Sequence, residues 1–183
     1  MDIENLIKSC IKQNRQAQEE LYHLYKKTLF VLSLKYCANE SEAEDNLHNS
    51  FIEIFTHIKN FDNKGSFEGW MKRITINKAI DSYKKKYQLI PIKDEFIQET
   101  SIDEDDLEFS LDYILSLIQE LPHQYRLVFS LYELDDYSHK EIAKMLSISE
   151  NTSKSNLPRA KVILKEKIKS KNSFHNNFVK NGK

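Results

Sequence analysis

Turn-forming residues are scarce: a chain of 183 residues carries only three glycines and three prolines. Hairpins and tight strand connections draw on glycine for positive φ and on proline for preset turns, so an architecture of many short strands has too few of both. Helix interiors need neither. The expected fold class is all-α. Hydrophobic residues make up 40% of the chain, enough for real cores, and charged residues 30%, which implies a heavily charged surface.

Apolar periodicity places the helices. A first is expected from about Ile3 to Lys12, broken at Asn14. A second, from about Ala17 to Tyr36, carries Leu21, Leu24, Tyr25, Leu29, Leu32 and Tyr36 on one broad face. A third begins at Ser41 with a capping-box pattern, Ser41-x-x-Glu44, and carries Leu47, Phe51, Ile54, Phe55 and Ile58. After a polar loop from Asn60 to Ser66, a fourth runs from Phe67 to Tyr87 with Ile76, Ile80, Tyr83 and Tyr87 apolar. Pro91 ends regular structure, and no sustained period follows until Phe109. A second helical unit then begins, with Leu111, Ile114, Leu115 and Ile118. Leu121-Pro122 opens a further helix, Pro122 near its first position, bearing Leu127, Val128, Leu131 and Tyr132. The expected organisation is two small helical domains, 1–90 and 109–170, joined by a linker over 91–108 and followed by a frayed tail over 171–183.

Ser138 to Lys165 reads as a helix-turn-helix, which places its second helix in the DNA major groove. Ser138 and Glu141 form a capping box; Ile142, Met145 and Leu146 follow at helical spacing; Ser147-Ile148-Ser149 makes the turn, with Ser149 as the next cap. The second helix presents Thr152, Lys154, Ser155, Asn156 and Arg159, hydroxyls, an amide and cations suited to phosphates and base edges. A plain αα-hairpin with solvated charges would satisfy the same spacing. Pro158 lies inside this helix and is expected to bend it after Leu157.

The net charge of −1 conceals segregation. Met71 to Lys93 holds seven Lys/Arg and one acid, Asp94 to Glu120 ten acids and no base, and Ser153 to Lys183 nine Lys/Arg and one acid. Two basic blocks suit nucleic acid, with an acidic linker between them that DNA would repel. The first block contains a second constellation. Trp70, Arg73, Asn77, Asp81 and Lys84 are spaced to share one side of a helix, and Lys84-Lys85-Lys86 sits at its end. Aromatic, guanidinium and amide groups together suit unpaired bases and phosphates; a surface polar ladder is the plainer alternative.

Cys10 and Cys37 have neither metal-ligand spacing nor a disulfide framework and read as buried thiols of a cytoplasmic protein. The sequence has no apolar run of membrane-spanning length and no signal-peptide pattern, so no membrane insertion is expected. No metal cluster, phosphate loop or nucleophile–base pairing supports an enzyme, and no cofactor is expected.

The two constellations, in this order, resemble bacterial RNA polymerase sigma factors of the sigma-70 family, in the compact extracytoplasmic-function group. The similar stretches are Ala43-Glu44-Asp45-Asn46-Leu47 with Phe51, Gly65 through Trp70 with Arg73-Ile74, Asn77 through Asp81, Leu121-Pro122, and Ser138 through Ala160. The resemblance covers about Ile11 to Ile168. It implies a first domain, sigma region 2, that binds core polymerase through Glu44, Asp45, His48 and Asn49 and recognises and melts the −10 promoter element through Phe67, Trp70, Arg73, Asn77, Asp81 and Lys84. It implies a second domain, sigma region 4, that binds the −35 element through Thr152, Lys154, Ser155, Asn156 and Arg159. The implied partners are core RNA polymerase (the β′ clamp and the β flap), promoter DNA and, commonly in the family, an anti-sigma factor. In the family the linker threads the polymerase toward its RNA exit channel, where the acids of this segment could mimic nucleic acid. His48 and Asn49 depart from the family, which usually has Gln followed by an acid there. The function implied is promoter recognition and opening without chemistry of its own; the competing reading is a stand-alone helix-turn-helix regulator.

Overall fold

The computed structural model describes residues 2–62, 64–87 and 110–180, except the side chains of Tyr87 and of residues 171–180. The linker expected at 91–108 and the end of the expected tail lie outside the described residues. The chain divides into two compact units, Met1–Tyr87 and Gln88–Lys183.

The first unit contains α1 (Ile3–Ile11), α2 (Arg15–Tyr36), α3 (Glu40–His57), a 3₁₀ turn (Ile58–Asn60) and α4 (Phe67–Tyr87). The long helices α2, α3 and α4 pack against one another and α1 lies on α2. Leu21, Leu29 and Leu32 of α2 meet a core that includes Phe51 and Ile54 of α3 and Met71, Ile76 and Ile80 of α4. Leu24, expected on the same face, is 58% exposed. At about 100° per residue it falls some 60° to one side of Leu21, while Tyr25, Leu29, Leu32 and Tyr36 fall to the other.

Asparagine caps move two boundaries. Asn14, expected to break the first helix, lies between α1 and α2 and also starts the second: its side chain accepts from the Ala17 amide at 3.0 Å, so α2 begins at Arg15 rather than Ala17. The cap expected at Ser41, with Glu44, lies instead at Asn39, with Glu42 reaching back to the residue before it. Asn39 accepts from the Glu42 amide at 2.9 Å, and Glu42 accepts from the Ala38 amide at 3.1 Å. Asparagine caps at least as well as serine, and the earlier start satisfies more of the first-turn amides.

The unit is also pinned by a buried polar seam that periodicity does not reveal. Asn46 of α3 donates through Nδ2 to Ser33 Oγ of α2 at 3.0 Å and to the Thr75 carbonyl of α4 at 3.2 Å. One side chain thus bonds both other long helices where all three meet, and fixes their register in a way apolar contact alone does not.

Cys10 and Cys37 are free, buried thiols. Cys10 sits just before α2 and Cys37 caps its far end. That helix spans about 33 Å at 1.5 Å per residue, so the two cannot pair with each other. Burial, then the charge of Glu20, pushes the Cys10 thiol above its ordinary range.

The second unit contains α5 (Leu111–Gln119), α6 (His123–Phe129), a π turn (Ser130–Leu134), α7 (His139–Leu146) and α8 (Glu150–Lys180). Pro122 is the cap of α6 rather than its first residue. Leu111 and Ile114, expected in the core, are 59% and 41% exposed, and Leu115, Leu117 and Ile118 are buried instead. Arg126 is buried and donates to the Gln119 and Leu121 carbonyls at 2.8 and 3.4 Å. A cation there closes the negative end of α5 and fastens α6 to it. Leu121 and Tyr125 pack on Ala160 of α8. The helix α8 continues through Pro158, whose ring lies on its exposed side. Among the described residues no helix is long and apolar enough to cross a membrane, and no group of His, Cys, Asp or Glu is placed to hold a metal.

Candidate nucleic-acid interface

Helix α4 begins at a strained, glycine-dependent entrance. Gly65 has φ +93°, a conformation that side chains rarely adopt. Ser66 Oγ then accepts from the Gly69 amide at 3.0 Å. A Cβ on Gly69 would lie 2.9 Å from that same oxygen, so the cap and the glycine are mutually dependent.

The cap aims Trp70 into a group of rings. Trp70 stacks on Phe67 at a centroid distance of 5.6 Å and meets Phe61 at 5.7 Å, while Tyr25 of α2 meets Phe67 edge-on at 6.3 Å. Phe67, expected at the −10 surface, is 7% exposed and forms part of the floor that supports Trp70. Burial, with the charge of Glu68, raises the Tyr25 hydroxyl pKa. Trp70 is half-buried, and along the same side of α4 Arg73, Asn77 and Asp81 are exposed and Lys84 half-buried. The expected strip therefore exists as a surface: one partly open indole followed by guanidinium, amide and carboxylate. Lys78, one position from Asn77, pairs instead with Glu53 of α3, and its hydrogen bond holds that carboxyl below the usual range.

On α3, Glu44, Asp45, His48 and Asn49 are all exposed, whereas Ala43, Asn46, Leu47 and Ser50 are buried. The face assigned to polymerase binding is thus turned outward. It continues to Ile52, 65% exposed, which sequence reading overlooked. Its spacing of seven from Asp45 was the available signal.

In the second unit the helix-turn-helix forms as expected. Ser138 and Glu141 make a full capping box at the start of α7. Ser147 takes the left-handed conformation at its end, φ 57°, and Ile148 donates back to the Ala143 carbonyl at 3.0 Å. Ser149 then caps α8, accepting from the Thr152 amide at 2.9 Å.

Hydrogen bonds from Ser138 hold the Glu141 carboxyl below its ordinary pKa. The folded value lies below the unfolded one, so the box contributes fully above about pH 4.3 and is lost as pH falls through the folded value. Protection of the first amides of α7, measured against their intrinsic exchange, should hold above about pH 4.3 and decline as pH falls below it; protection that does not change with acidification would contradict this.

The outward face of α8 carries Asn151, Lys154, Ser155 and Pro158, with Thr152 and Arg159 half-buried beside it. Asn151 went unremarked in the sequence although it leads this strip. Asn156, expected to touch DNA, is 3% exposed and faces inward. Thr152 Oγ1 shares a 2.7 Å hydrogen bond with Ser149 Oγ, and Lys154 pairs with Glu150 at 2.7 Å. The Lys154 hydrogen bond lowers the Glu150 pKa. That pair is exposed, so a phosphate can draw the ammonium away at little cost. The structure therefore gathers Lys154, Ser155 and Arg159 on one accessible side and removes Asn156 from it.

Two family models match the chain: Sigma-70 region 2 over residues 21–88 and Sigma-70, region 4 over residues 111–164. Among relatives, the ECF RNA polymerase sigma factor SigW of Bacillus subtilis is 29% identical, with 92% of this chain and 98% of that protein covered. The ECF RNA polymerase sigma factor SigM of the same organism is 27% identical, covering 80% of this chain and 92% of that protein. In fold, the chain is similar to one in the co-crystal structure of the sigma factor RpoE with the anti-sigma factor NepR from Bartonella quintana. The TM-score is 0.50 at 18% identity, over 82% of this chain and 96% of that one.

Proposed function

The chain belongs to the sigma-70 family, in its extracytoplasmic-function group, and from that premise we propose how its two units divide the work. As a sigma factor it binds core RNA polymerase and directs it to promoters. The first unit, as region 2, docks on the β′ clamp through Glu44, Asp45, His48 and Asn49 of α3. It selects and opens the −10 element with Trp70, Arg73, Asn77, Asp81 and Lys84 of α4. The second unit, as region 4, meets the β flap and reads the −35 element with Lys154, Ser155 and Arg159, while Thr152 supports the cap. The protein works in the cytoplasm, performs no chemistry of its own, and is held in check by an anti-sigma factor, as the sigma factor of the solved complex is bound by NepR.

The observation that carries this reading is the pair of outward polar strips, one beginning at a half-buried tryptophan and one at the start of the second helix of a helix-turn-helix. The stand-alone regulator is not favoured, since a repressor has no need of the region 2 match over residues 21–88. The test is gel filtration with core polymerase followed by run-off transcription on genomic fragments. Co-elution and discrete transcripts are expected; elution apart from core would overturn the reading.

A further inference from the structure

The base-reading end of α8 rests on a polar seat. Leu157 and Ala160 anchor the first third of the helix in the core, but Ser153 and Asn156, which face inward below Lys154 and Ser155, are polar and buried. Apolar packing leaves small rotations and slides of a helix nearly equal in energy, whereas a hydrogen bond selects one. Asn156 Nδ2 is buried without a partner and selects nothing. Ser153 Oγ lies 2.9 Å from His139 Nδ1, either group donating according to the imidazole tautomer. The ring of His139 is itself held, stacked on Tyr132 at 4.4 Å and 19°. Tyr132 belongs to the π turn, and its neighbour Glu133 pairs with Lys161 of α8 at 2.7 Å. The π turn, the first residue of α7 and the recognition helix are thereby tied through one imidazole.

We propose that His139 is a positioning residue for promoter recognition: held by Tyr132, it fixes through Ser153 the rotation at which α8 presents Lys154, Ser155 and Arg159. His139 touches no base in this account; it acts through Ser153. The proposal rests on α8 reading the −35 element.

The experiment uses holoenzyme assembled with core polymerase on a promoter obtained by run-off transcription, and on the same promoter with its −35 segment scrambled. The readout is the ratio of the two affinities. His139→Phe keeps a ring against Tyr132 and removes the polar atom; the ratio should fall about fivefold, the scale of one neutral hydrogen bond, with affinity for the scrambled promoter unchanged. His139→Asn restores a polar atom toward Ser153 but not the ring held by Tyr132, and should recover part of the ratio. Ser153→Ala should match His139→Phe, and the double variant should fall no further; this smaller change keeps the test decisive if the phenylalanine variant folds poorly. A wild-type ratio in either His139→Phe or Ser153→Ala, or an equal loss with asparagine and phenylalanine, would overturn the proposal. If the wild type itself shows no preference, the −35 role of α8 fails and the positioning role of His139 with it; if the preference is present and survives the substitutions, the positioning role alone fails.

Discussion

Holoenzyme carrying Trp70→Ala should form open complexes roughly 10- to 100-fold less well on duplex promoter, the scale of one lost base–aromatic stack. On a promoter already unpaired at the −10 element most of the defect in opening should disappear. Binding to core polymerase should be unchanged, because Trp70 lies on α4 and the residues assigned to the clamp lie on α3. The expectation rests on the arrangement of the rings. Phe67 and Phe61 hold one side of the indole while the residue stays half exposed, so it has a free edge to offer to a base. Phe67→Leu should give a weaker form of the same defect, acting through a displaced tryptophan rather than a lost contact. Trp70→Ala opening duplex at the wild-type rate would make Trp70 a packing residue only.

Arg126→Met should destabilise the second unit by roughly 2–4 kcal/mol, since two carbonyls lose a charged donor and the thioether has none to offer in its place. For a unit of this size that lowers its thermal transition by about 10–20 °C. The buried guanidinium also lies 2.7 Å from His123 Nδ1, so its loss frees the start of α6 as well as the end of α5. The first unit contains none of these groups, and its transition should stay in place. Scanning calorimetry of the full chain separates the two; a second-unit transition within about 2 °C of wild type would show that the arginine is dispensable.

Local signals carried most of what the sequence made legible. The Ser138–Glu141 box, the serine at position 149 and the 3- and 4-residue spacing from Trp70 to Lys84 depend on neighbours within a turn or two, and they reappear in the structure. Readings that depended on long-range partners were less secure. Asn46 gave no sign that it faces inward, because Ser33 and Thr75, which satisfy it, lie on other helices. The exposure of Leu111 and Ile114 likewise depends on which side of α5 the rest of the unit covers. Phe67 sits at the first residue of α4, where periodicity has little to work on, and its burial comes from Tyr25 and Phe61. Asn156 belongs to an inward stripe that spacing could have shown: Ser153, Asn156, Leu157 and Ala160 are spaced 3, 1 and 3, and all four are buried. Its amide suggested DNA chemistry and outweighed the stripe.

One chain is expected to grip a promoter at two separate points, through α4 and through α8. Transcription by holoenzymes carrying Asn77→Ala or Arg159→Ala, each on promoters substituted base by base in the −10 or the −35 element, tests it most directly. The account predicts that Asn77→Ala relaxes preference within the −10 element alone. It predicts that Arg159→Ala relaxes one position of the −35 element alone, by about 1–3 kcal/mol. Variants that weaken all promoters equally, or whose effects cross from one element to the other, would contradict it.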